Sequence, residues 1–254
     1  MWKFIRYGKA NPLDNNIVVV GFPGMALVGK TVALQLIKAL DAELYGVIYG
    51  TKFPAHLIVE SDGMGEINNV ALYYAKANSV GVFIATGSAQ PASDVDQHSL
   101  SYFLIKQLKR YNIKELIAAA AYVSDVVVPN RKVLVVGNNI DVLKKYVEHG
   151  ATQLNEGVIS GLNGIVVGWA KIFNINAVCL LGETWRSIVE LNYIDYIASK
   201  LVLDVINKVW NLGIDTKELE EKGRGVEREV ELILKSFTQP KEEAKGEKRP
   251  YYIT

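Results

Sequence analysis

The chain has 254 residues, of which 50% are hydrophobic and 22% are charged, so it can bury the core of one large domain or of two small ones. Its 28 basic and 27 acidic residues leave a net charge of +1, which argues against a nucleic-acid-binding protein because such a protein needs a basic face. One cysteine and three scattered histidines exclude a disulfide framework and the usual Cys/His zinc spacings.

The N-terminus and the apolar runs favour a cytoplasmic protein. Met1–Arg6 is short, aromatic and basic, and no apolar core of a signal peptide follows it. No apolar run approaches the ~20 residues that a membrane-spanning helix needs. Cys179 lies in an apolar run, where a lone thiol behaves as a small buried hydrophobe in a reducing compartment. We therefore expect a soluble, cytoplasmic protein without a membrane contact.

Short apolar runs alternate with amphipathic segments along the chain. The first unit is a strand over Ile17–Val20, a turn over Gly21–Gly24 and a helix over Met25–Leu40. Further strands are predicted over Glu43–Gly50, His56–Glu60, Glu66–Tyr74, Val80–Ala85, Glu115–Ala121, Val133–Gly137 and Ala177–Gly182. Further helices are predicted over Asp94–Arg110, Asp141–His149, Ser160–Phe173 and Leu191–Trp210. This alternation predicts a largely parallel, three-layer α/β/α sheet with some antiparallel strands, in one domain of residues 1–213.

The C-terminal part predicts a helical arm and a flexible tail. Asp215, followed by Glu218, resembles a capping box and starts a helix over residues 214–238. A narrow apolar stripe on this helix suits docking against the body or a neighbouring subunit. The stripe consists of Val226, Val230, Ile233 and Phe237. Residues 239–254 form a charged tether without apolar residues beyond Ala244 until it ends in Tyr251, Tyr252, Ile253 and Thr254.

The stretch Gly24–Thr31 matches the phosphate-loop pattern G-x-x-x-x-G-K-[ST], between a strand and a helix. The four residues inside the pattern are apolar, however, although they would line a wet phosphate cradle. Two interpretations remain at this point. In one, Lys30 neutralises the phosphate of a bound nucleotide; in the other, Gly29 is a close-packing site and Lys30 a solvated helix residue.

Two groups of charged residues could act in acid–base catalysis. Asp94, Asp96 and His98 are clustered, and Glu183 and Arg186 end a strand. The simpler interpretation is that Asp94 caps a helix, Asp96 suits its first turn and His98 lies on the surface. Because neither group comes with a matched nucleophile or metal pattern, we predict no catalytic residue.

Several segments, in order over residues 17 to 215, together resemble the proteasome assembly chaperone 2 family in its archaeal form. They are Gly21-Phe22-Pro23-Gly24 with Val28-Gly29, the Asp62-Gly63 turn, Thr86-Gly87 followed by Gln90-Pro91, Gly161-Leu162-Asn163-Gly164, and Cys179–Thr184. The resemblance implies an α/β/α sandwich related to the nucleoside phosphorylases, without their chemistry. It also implies that the glycine pattern at residues 21–29 needs no lysine, which favours the packing interpretation of Gly29.

The resemblance further implies a homo-oligomeric chaperone that binds proteasome α subunits. Some archaeal members carry a C-terminal hydrophobic-tyrosine-any tripeptide that docks between neighbouring α subunits. Here Tyr251-Tyr252-Ile253 would fit that pattern, but Thr254 adds one residue. The alternatives are a register shifted by one residue, a different use of the tail, and a tail that folds back on its own domain.

We therefore predict a non-enzymatic, homo-oligomeric, chaperone-like protein that uses no cofactor and engages proteasome α subunits partly through Tyr251–Thr254. One alternative is an ATP-binding enzyme, P-loop or ligase-like, that uses Gly24–Thr31. The other is a phosphorylase-like protein that binds a small metabolite at the strand ends, near Thr86-Gly87-Ser88 and Glu183-Thr184.

Overall fold

The computed structural model describes residues 1–59, 61–127 and 129–238, with the side chains of residues 237 and 238 excepted. Within these ranges the strands are β1 (Trp2–Arg6), β2 (Asn16–Val20), β3 (Glu43–Gly50), β4 (Leu57–Val59), β5 (Gly65–Ile67), β6 (Asn69–Ala77), β7 (Val80–Gly87), β8 (Ile113–Ser124), β9 (Val133–Gly137), β10 (Thr152–Gln153) and β11 (Asn176–Trp185). The α-helices are α1 (Val28–Ala39), α2 (Asp94–Leu108), α3 (Ile140–Glu148), α4 (Leu162–Ile172), α5 (Arg186–Glu190), α6 (Tyr196–Trp210) and α7 (Lys217–Thr238). None of the helices described is both long and apolar enough to cross a bilayer.

A nine-stranded mixed sheet, in the order β1-β3-β6-β7-β2-β8-β11-β9-β10, forms the middle layer. Its four central strands, β7, β2, β8 and β11, are parallel. The pairings of β1 with β3, β3 with β6, β6 with β7 and β9 with β11 are antiparallel. The predicted parallel sheet with antiparallel additions is confirmed.

Helices cover both faces of the sheet, as a parallel sheet requires. Strand β2 is fully buried on both sides. Ile17 and Val19 belong to the core under α1 and α6, and Val18 and Val20 belong to the core under α2 and α4. The continuous apolar run of β2 is therefore explained by burial between two helical layers.

The order of the parallel strands reverses direction at β2. After β2 the chain reaches β7 on one side of it, and then continues through α2 to β8 on the other side. The carboxyl end of β2 leads to α1 on one face of the sheet and that of β7 leads to α2 on the other face, while β8 continues through a loop to β9 of the same sheet. A crevice opens at such a switch point, and open α/β sheets bind their ligands there.

Helices α1 and α6 begin several residues later than the sequence pattern indicates. Met25–Leu27 is a short 3₁₀ turn in which Ala26 and Leu27 are left-handed, with φ of 47° and 51°, so α1 starts only at Val28. Likewise α6 starts at Tyr196 rather than at Leu191. Asn192 is left-handed with φ 57°, and the Asp195 carboxylate accepts a hydrogen bond from the third N–H group of the helix.

Three predicted local features also differ. Strand β11 runs to Trp185, so Glu183 and Thr184 lie inside it rather than beyond its end. The N-cap of α2 is Ser93, whose hydroxyl accepts from the N–H of Asp96, and Asp94 is the first helical residue. Asp215 accepts a hydrogen bond from the Lys217 N–H just before α7, and no capping box forms there because the Glu218 side chain binds two lysines instead.

Helix α7 lies against α6. Val230 is fully buried, and Val226 packs against the same core. Gly223 permits this approach, because a Cβ atom there would lie 2.5 Å from Cγ1 of Ile197. The side chain of Phe237 and the predicted tail, residues 239–254, lie outside the described residues.

Candidate functional site

Three of the sequence segments that carry the resemblance meet at the carboxyl end of β2, and we refer to this place as the junction (residues 21–24, 86–91 and 161–164). The Thr86 hydroxyl donates to the Gly21 carbonyl oxygen at 2.6 Å. The Gln90 amide donates to the carbonyl of Pro23 at 2.6 Å, and its oxygen accepts from the N–H of Leu162 at 2.7 Å. Side chains from the end of β7 and from the loop that follows it thus fix the turn after β2.

Asn163 completes the junction from the first turn of α4. Its side-chain oxygen accepts from the N–H of Phe22 at 2.9 Å, and its NH₂ group donates to the carbonyl of Phe22 at 3.1 Å. Asn163 is 5% exposed, so water does not substitute for these bonds. A carboxylate could only accept, which explains an amide at this position.

Gly29 packs helix α1 directly onto strand β8. A Cβ atom at Gly29 would lie 2.2 Å from the carbonyl oxygen of Ala119, and one at Gly21 would lie 2.0 Å from the carbonyl oxygen of Gly29. Lys30, the third residue of α1, is half-buried and does not line the neighbouring cavity. Gly29, the second glycine of the phosphate-loop match, is thus accounted for by packing geometry, which favours the packing interpretation.

A cavity of about 380 Å³ opens at the junction, between the carboxyl end of β8 and the N-terminal ends of α1 and α4. Its floor is formed by Ala120, Ala121, Leu181 and Val189, and Met25 and Val158 line it near the surface. The polar residues Tyr122, Ser160, Glu156, Glu190 and Arg186 also line it. This is the concave, mainly apolar site that the switch point predicts.

The strand-end residues predicted for a small metabolite do not line this cavity. The Ser88 hydroxyl donates to Asn68 at 2.7 Å, the Glu183 carboxylate accepts from the Lys132 N–H at 2.9 Å, and the Thr184 hydroxyl donates to Asp195. These groups position loops and the start of α6. The cavity at the same edge of the sheet is lined by other residues.

The clustered acidic residues at the start of α2 are engaged in local bonds. The Ser93 hydroxyl donates to Asp96 at 2.8 Å, and this bond, together with Lys52 at 3.3 Å, lowers the pKa of the Asp96 carboxyl. Nδ1 of His98 accepts from the indole of Trp169 at 3.2 Å. Across residues 1–59, 61–127 and 129–238, no three His, Cys, Asp or Glu side chains are grouped as metal ligands.

A buried charged cluster surrounds Arg131 and was not predicted from the sequence. The guanidinium, 2% exposed, donates to both carboxylate oxygens of Asp195 at 2.6–2.7 Å and to Glu227 of α7 at 2.6 Å. It also lies 4.1 Å from the ring centre of Trp185. Burial raises the pKa of the Glu227 carboxyl, against the opposing effect of Arg131. A lone arginine in a predicted loop gives no pattern from which this anchor of α7 could be found.

Exposed apolar side chains are concentrated at the same end of the molecule. In the hairpin β4–β5, Leu57 lies opposite Ile67, and both are at least half exposed. About half of the most exposed large apolar residues of the described chain lie at this end, on the hairpin, the junction and the neighbouring loops. We define them as the apolar end surface: Met25, Leu57, Val59, Met64, Ile67, Val95, Tyr122, Val126, Val127 and Val158. Patches of this kind mark sites of interaction with other macromolecules.

Comparison with known families gives a match to a model described as the PAC2 family, over residues 18–234. The match spans the junction, the cavity and most of α7. The protein MJ1210 of Methanocaldococcus jannaschii is 27% identical over 225 residues, which cover 88% of this chain and 85% of that protein.

Two solved structures share the fold. PbaB of Pyrococcus furiosus, described as an archaeal proteasome activator, superposes with a TM-score of 0.82 at 23% identity, over 94% of this chain and 99% of that chain. PbaA of the same organism is described as an archaeal homolog of proteasome-assembly chaperone. It superposes with a TM-score of 0.73 at 21% identity, over 93% of this chain and 92% of that chain. The three-layer architecture is therefore shared over nearly the full length.

Proposed function

The chain belongs to the PAC2 family, and on this premise we propose that it is a non-enzymatic, chaperone-like protein that acts in proteasome assembly. We further propose that it works as a homo-oligomer and binds proteasome α subunits. The family match over residues 18–234 carries the proposal. The descriptions of PbaB and PbaA as a proteasome activator and an assembly-chaperone homolog support it.

The apolar end surface gives the folded body a means of binding another protein. Its side chains are 42–96% exposed, and apolar surface that a single chain leaves exposed is available to be buried against a partner. The hairpin β4–β5 adds to this argument, because its apolar face is turned to solvent in a single chain. An isolated two-stranded hairpin is marginally stable in water, so a partner that covers it also stabilises it.

The C-terminal Tyr251–Thr254 is proposed as a second contact. Tyr251 and Tyr252 would act as apolar anchors, with Ile253 beside them, in a pocket of an α subunit. These residues lie outside the described part of the chain. One such tail binds weakly, and several tails on one oligomer gain avidity on a ring-shaped partner.

The stripe on α7 serves two purposes in this proposal. Val226 and Val230 pack within the chain and hold α7 on the body. Ile233 is only half-buried, so part of its side chain remains available to a neighbouring subunit. The side chain of Phe237, the last residue of the predicted stripe, lies outside the described ones. A homo-oligomer contact is therefore proposed for the last turns of α7.

The test is capture of purified proteasome α subunits by the immobilised full chain and by a chain ending at Pro250. We expect capture by the full chain and a loss of at least ~10-fold on truncation, since two aromatic anchors of a small contact carry much of its affinity. Equal capture by both chains would remove the tail from the proposal and leave the apolar end surface. Lys30→Ala is the matched control, since a chaperone does not need that ammonium group; an ATP-dependent capture that this substitution abolishes would contradict the proposal.

A further inference from the structure

We propose that the cavity at the junction binds a small organic cation with an apolar body, such as an aliphatic amine. This inference concerns a ligand site on the body and does not depend on the proteasome as partner. It rests on where the cavity lies, on which of its polar groups already have partners, and on the charges at its mouth.

The position of the cavity fits a small molecule. It lies at the carboxyl end of β8, beside the turn that follows β2, and ligands of open α/β sheets usually bind at the carboxyl ends of the strands. Its volume of about 380 Å³ falls at the lower end of the ~300–1,000 Å³ typical of small-ligand sites. The floor of Ala120, Ala121, Leu181 and Val189 offers hydrocarbon contacts only.

An anionic ligand is disfavoured, although two helix N-termini reach the cavity. At the start of α4, the Leu162 N–H donates to Gln90, and the N–H groups of Gly164 and Ile165 donate to the Gly161 carbonyl. Before α1, the Leu27 N–H donates to the Gly24 carbonyl at 3.0 Å. These four amide donors are thus used within the fold and are not available to an anion.

The charged residues at the cavity are predominantly acidic. The Arg186 guanidinium donates to Asp125, a bond that raises the pKa of Arg186 and offsets its charge. Glu156 and Glu190 line the cavity and are exposed, and the charge of Glu190 also helps to raise the pKa of Arg186. Three carboxylates, with Asp125, therefore surround one guanidinium, and the excess negative charge attracts a positive charge at the mouth.

The two features define the ligand. Its apolar body would lie on the alanine and leucine floor, and its ammonium group would lie between Glu156 and Glu190 at the solvent side. The cation would keep part of its hydration there, so each charge contact contributes modestly. The charge selects among ligands, and the hydrocarbon contacts supply most of the affinity.

The test uses three probes with the same six-carbon body: n-hexylammonium, n-hexanol and hexanoate. Each is titrated into the ¹⁵N-labelled full chain while amide shifts are followed by NMR. We expect shifts at Ala121, Val158 and Val189, with n-hexylammonium binding about 5-fold more tightly than n-hexanol and hexanoate more weakly than both. Equal affinities, a preference for hexanoate, or shifts confined to other residues would each overturn the proposal.

Variants separate charge from shape. The double substitution Glu156→Gln and Glu190→Gln should reduce n-hexylammonium binding about 5-fold and leave n-hexanol binding unchanged. Glu43→Gln, at an exposed carboxylate on the opposite edge of the sheet, is the matched control and should change neither. If the control weakens binding as much as the double variant, the effect is general charge and the proposal fails.

The chain's own terminus could compete for the site, because Lys248 and Arg249 precede Tyr251 and Tyr252. A chain with Lys248→Gln and Arg249→Gln distinguishes this case. We expect it to bind n-hexylammonium as the natural sequence does. If n-hexylammonium binds only after these two substitutions, the terminus is the occupant and the small-cation proposal is wrong.

Discussion

The side-chain amide of Asn163 bonds both main-chain groups of Phe22, accepting from its N–H at 2.9 Å and donating to its carbonyl at 3.1 Å. The two residues are 141 positions apart, so this pair joins the start of α4 to the turn after β2 across most of the fold. Both residues are buried. The contact therefore fixes the walls of the cavity at the switch point as well as the packing of α4.

Replacing Asn163 with alanine should strongly destabilise the chain. The change leaves the buried N–H and C=O of Phe22 without these partners. Each unsatisfied buried group lowers the free energy of unfolding by about 1–3 kcal/mol. We expect the free energy of unfolding to fall by about 2–4 kcal/mol, measured by urea denaturation. Asn155→Ala, at an exposed asparagine of the loop before α4, is the control and should have no measurable effect. A similar small loss for both would show that the Asn163 bonds do not stabilise the fold.

The ordered motifs could be recognised in the sequence, but their meeting in space could not. Gly21–Gly24, Gln90 and Gly161–Asn163 are separated by some 70 residues at each step, and each one alone is typical of an ordinary turn. The alternation of apolar runs predicted the sheet and its layers, since burial on both faces imposes continuous hydrophobicity on β2. Which side chains bond across the junction depends on long-range contacts that local pattern does not encode.

The predicted start of α6 shows where periodicity misleads. Leu191 and Ile194 continue the apolar spacing of the helix, but Asn192 adopts a left-handed conformation and Asp195 caps the helix that follows. Short polar residues tolerate both roles better than most. Asn192 and Asp195 were the sequence signal for a later helix start. Their conformational preferences prevail over the apolar spacing of Leu191 and Ile194.

Glycine-to-alanine substitutions at Gly29 and Gly168 should have opposite effects. At Gly29 the new methyl group would meet the Ala119 carbonyl oxygen at 2.2 Å, so helix α1 must move away from β8. We expect a loss of at least ~2 kcal/mol in the free energy of unfolding, as for other overpacked sites. At Gly168, inside α4, a Cβ atom meets nothing within 4 Å, and alanine should stabilise the helix by about 0.5–1 kcal/mol. Thermal and urea denaturation measure both, and tolerance of alanine at Gly29 would contradict the close-packing interpretation.

Polar substitutions on the apolar end surface should affect association and not folding. Val59→Ser combined with Met64→Ser removes two exposed apolar side chains of the hairpin. We expect the free energy of unfolding to change by less than ~0.5 kcal/mol, as for most substitutions at surface positions. Capture of α subunits, or self-association measured by sedimentation, should weaken several-fold. The pair Ile140→Ser and Ile172→Ser, equally exposed at the opposite edge of the sheet, is the control. The same loss for both pairs would show that general surface hydrophobicity, rather than this end of the molecule, drives association.

The attachment of α7 to α1 should depend on acid pH through Glu218. Hydrogen bonds from Lys222 and Lys38, at 2.8 and 2.6 Å, lower the pKa of the Glu218 carboxyl from 4.5 to about 2. Because the ionised form is favoured in the folded state, the stabilising contribution is complete above pH 4.5 and is lost as the pH falls towards 2. The stability difference between the natural chain and Glu218→Gln should therefore shrink over this interval, when urea midpoints are measured from pH 6 to pH 2. Glu221→Gln, at an exposed carboxylate on the same helix, should show no such convergence.

Lysine at position 131 should loosen α7, although it conserves the charge. The Arg131 guanidinium bonds Asp195 and Glu227 at the same time, at 2.6–2.7 Å, and lies against the face of Trp185. A single ammonium group cannot reproduce that planar fork, so at least one of the two carboxylates loses its bond to the side chain at position 131. We expect Arg131→Lys to cost about 2–4 kcal/mol of unfolding free energy, less than the full loss of a buried pair because the charge remains.

Hydrogen exchange should show where that stability is lost. The amides of α7 should exchange faster in Arg131→Lys, because the cluster joins α7 to the body at Glu227. The amides of β2 and β8 should exchange faster only by the amount that the fall in global stability accounts for. Arg186→Lys is the matched control, since that arginine forms an exposed pair with Asp125 and surface pairs contribute little. If the two lysine variants exchange alike in α7, the helix is held by its apolar contacts around Val230, and the charged cluster serves only to place the loop that carries Arg131.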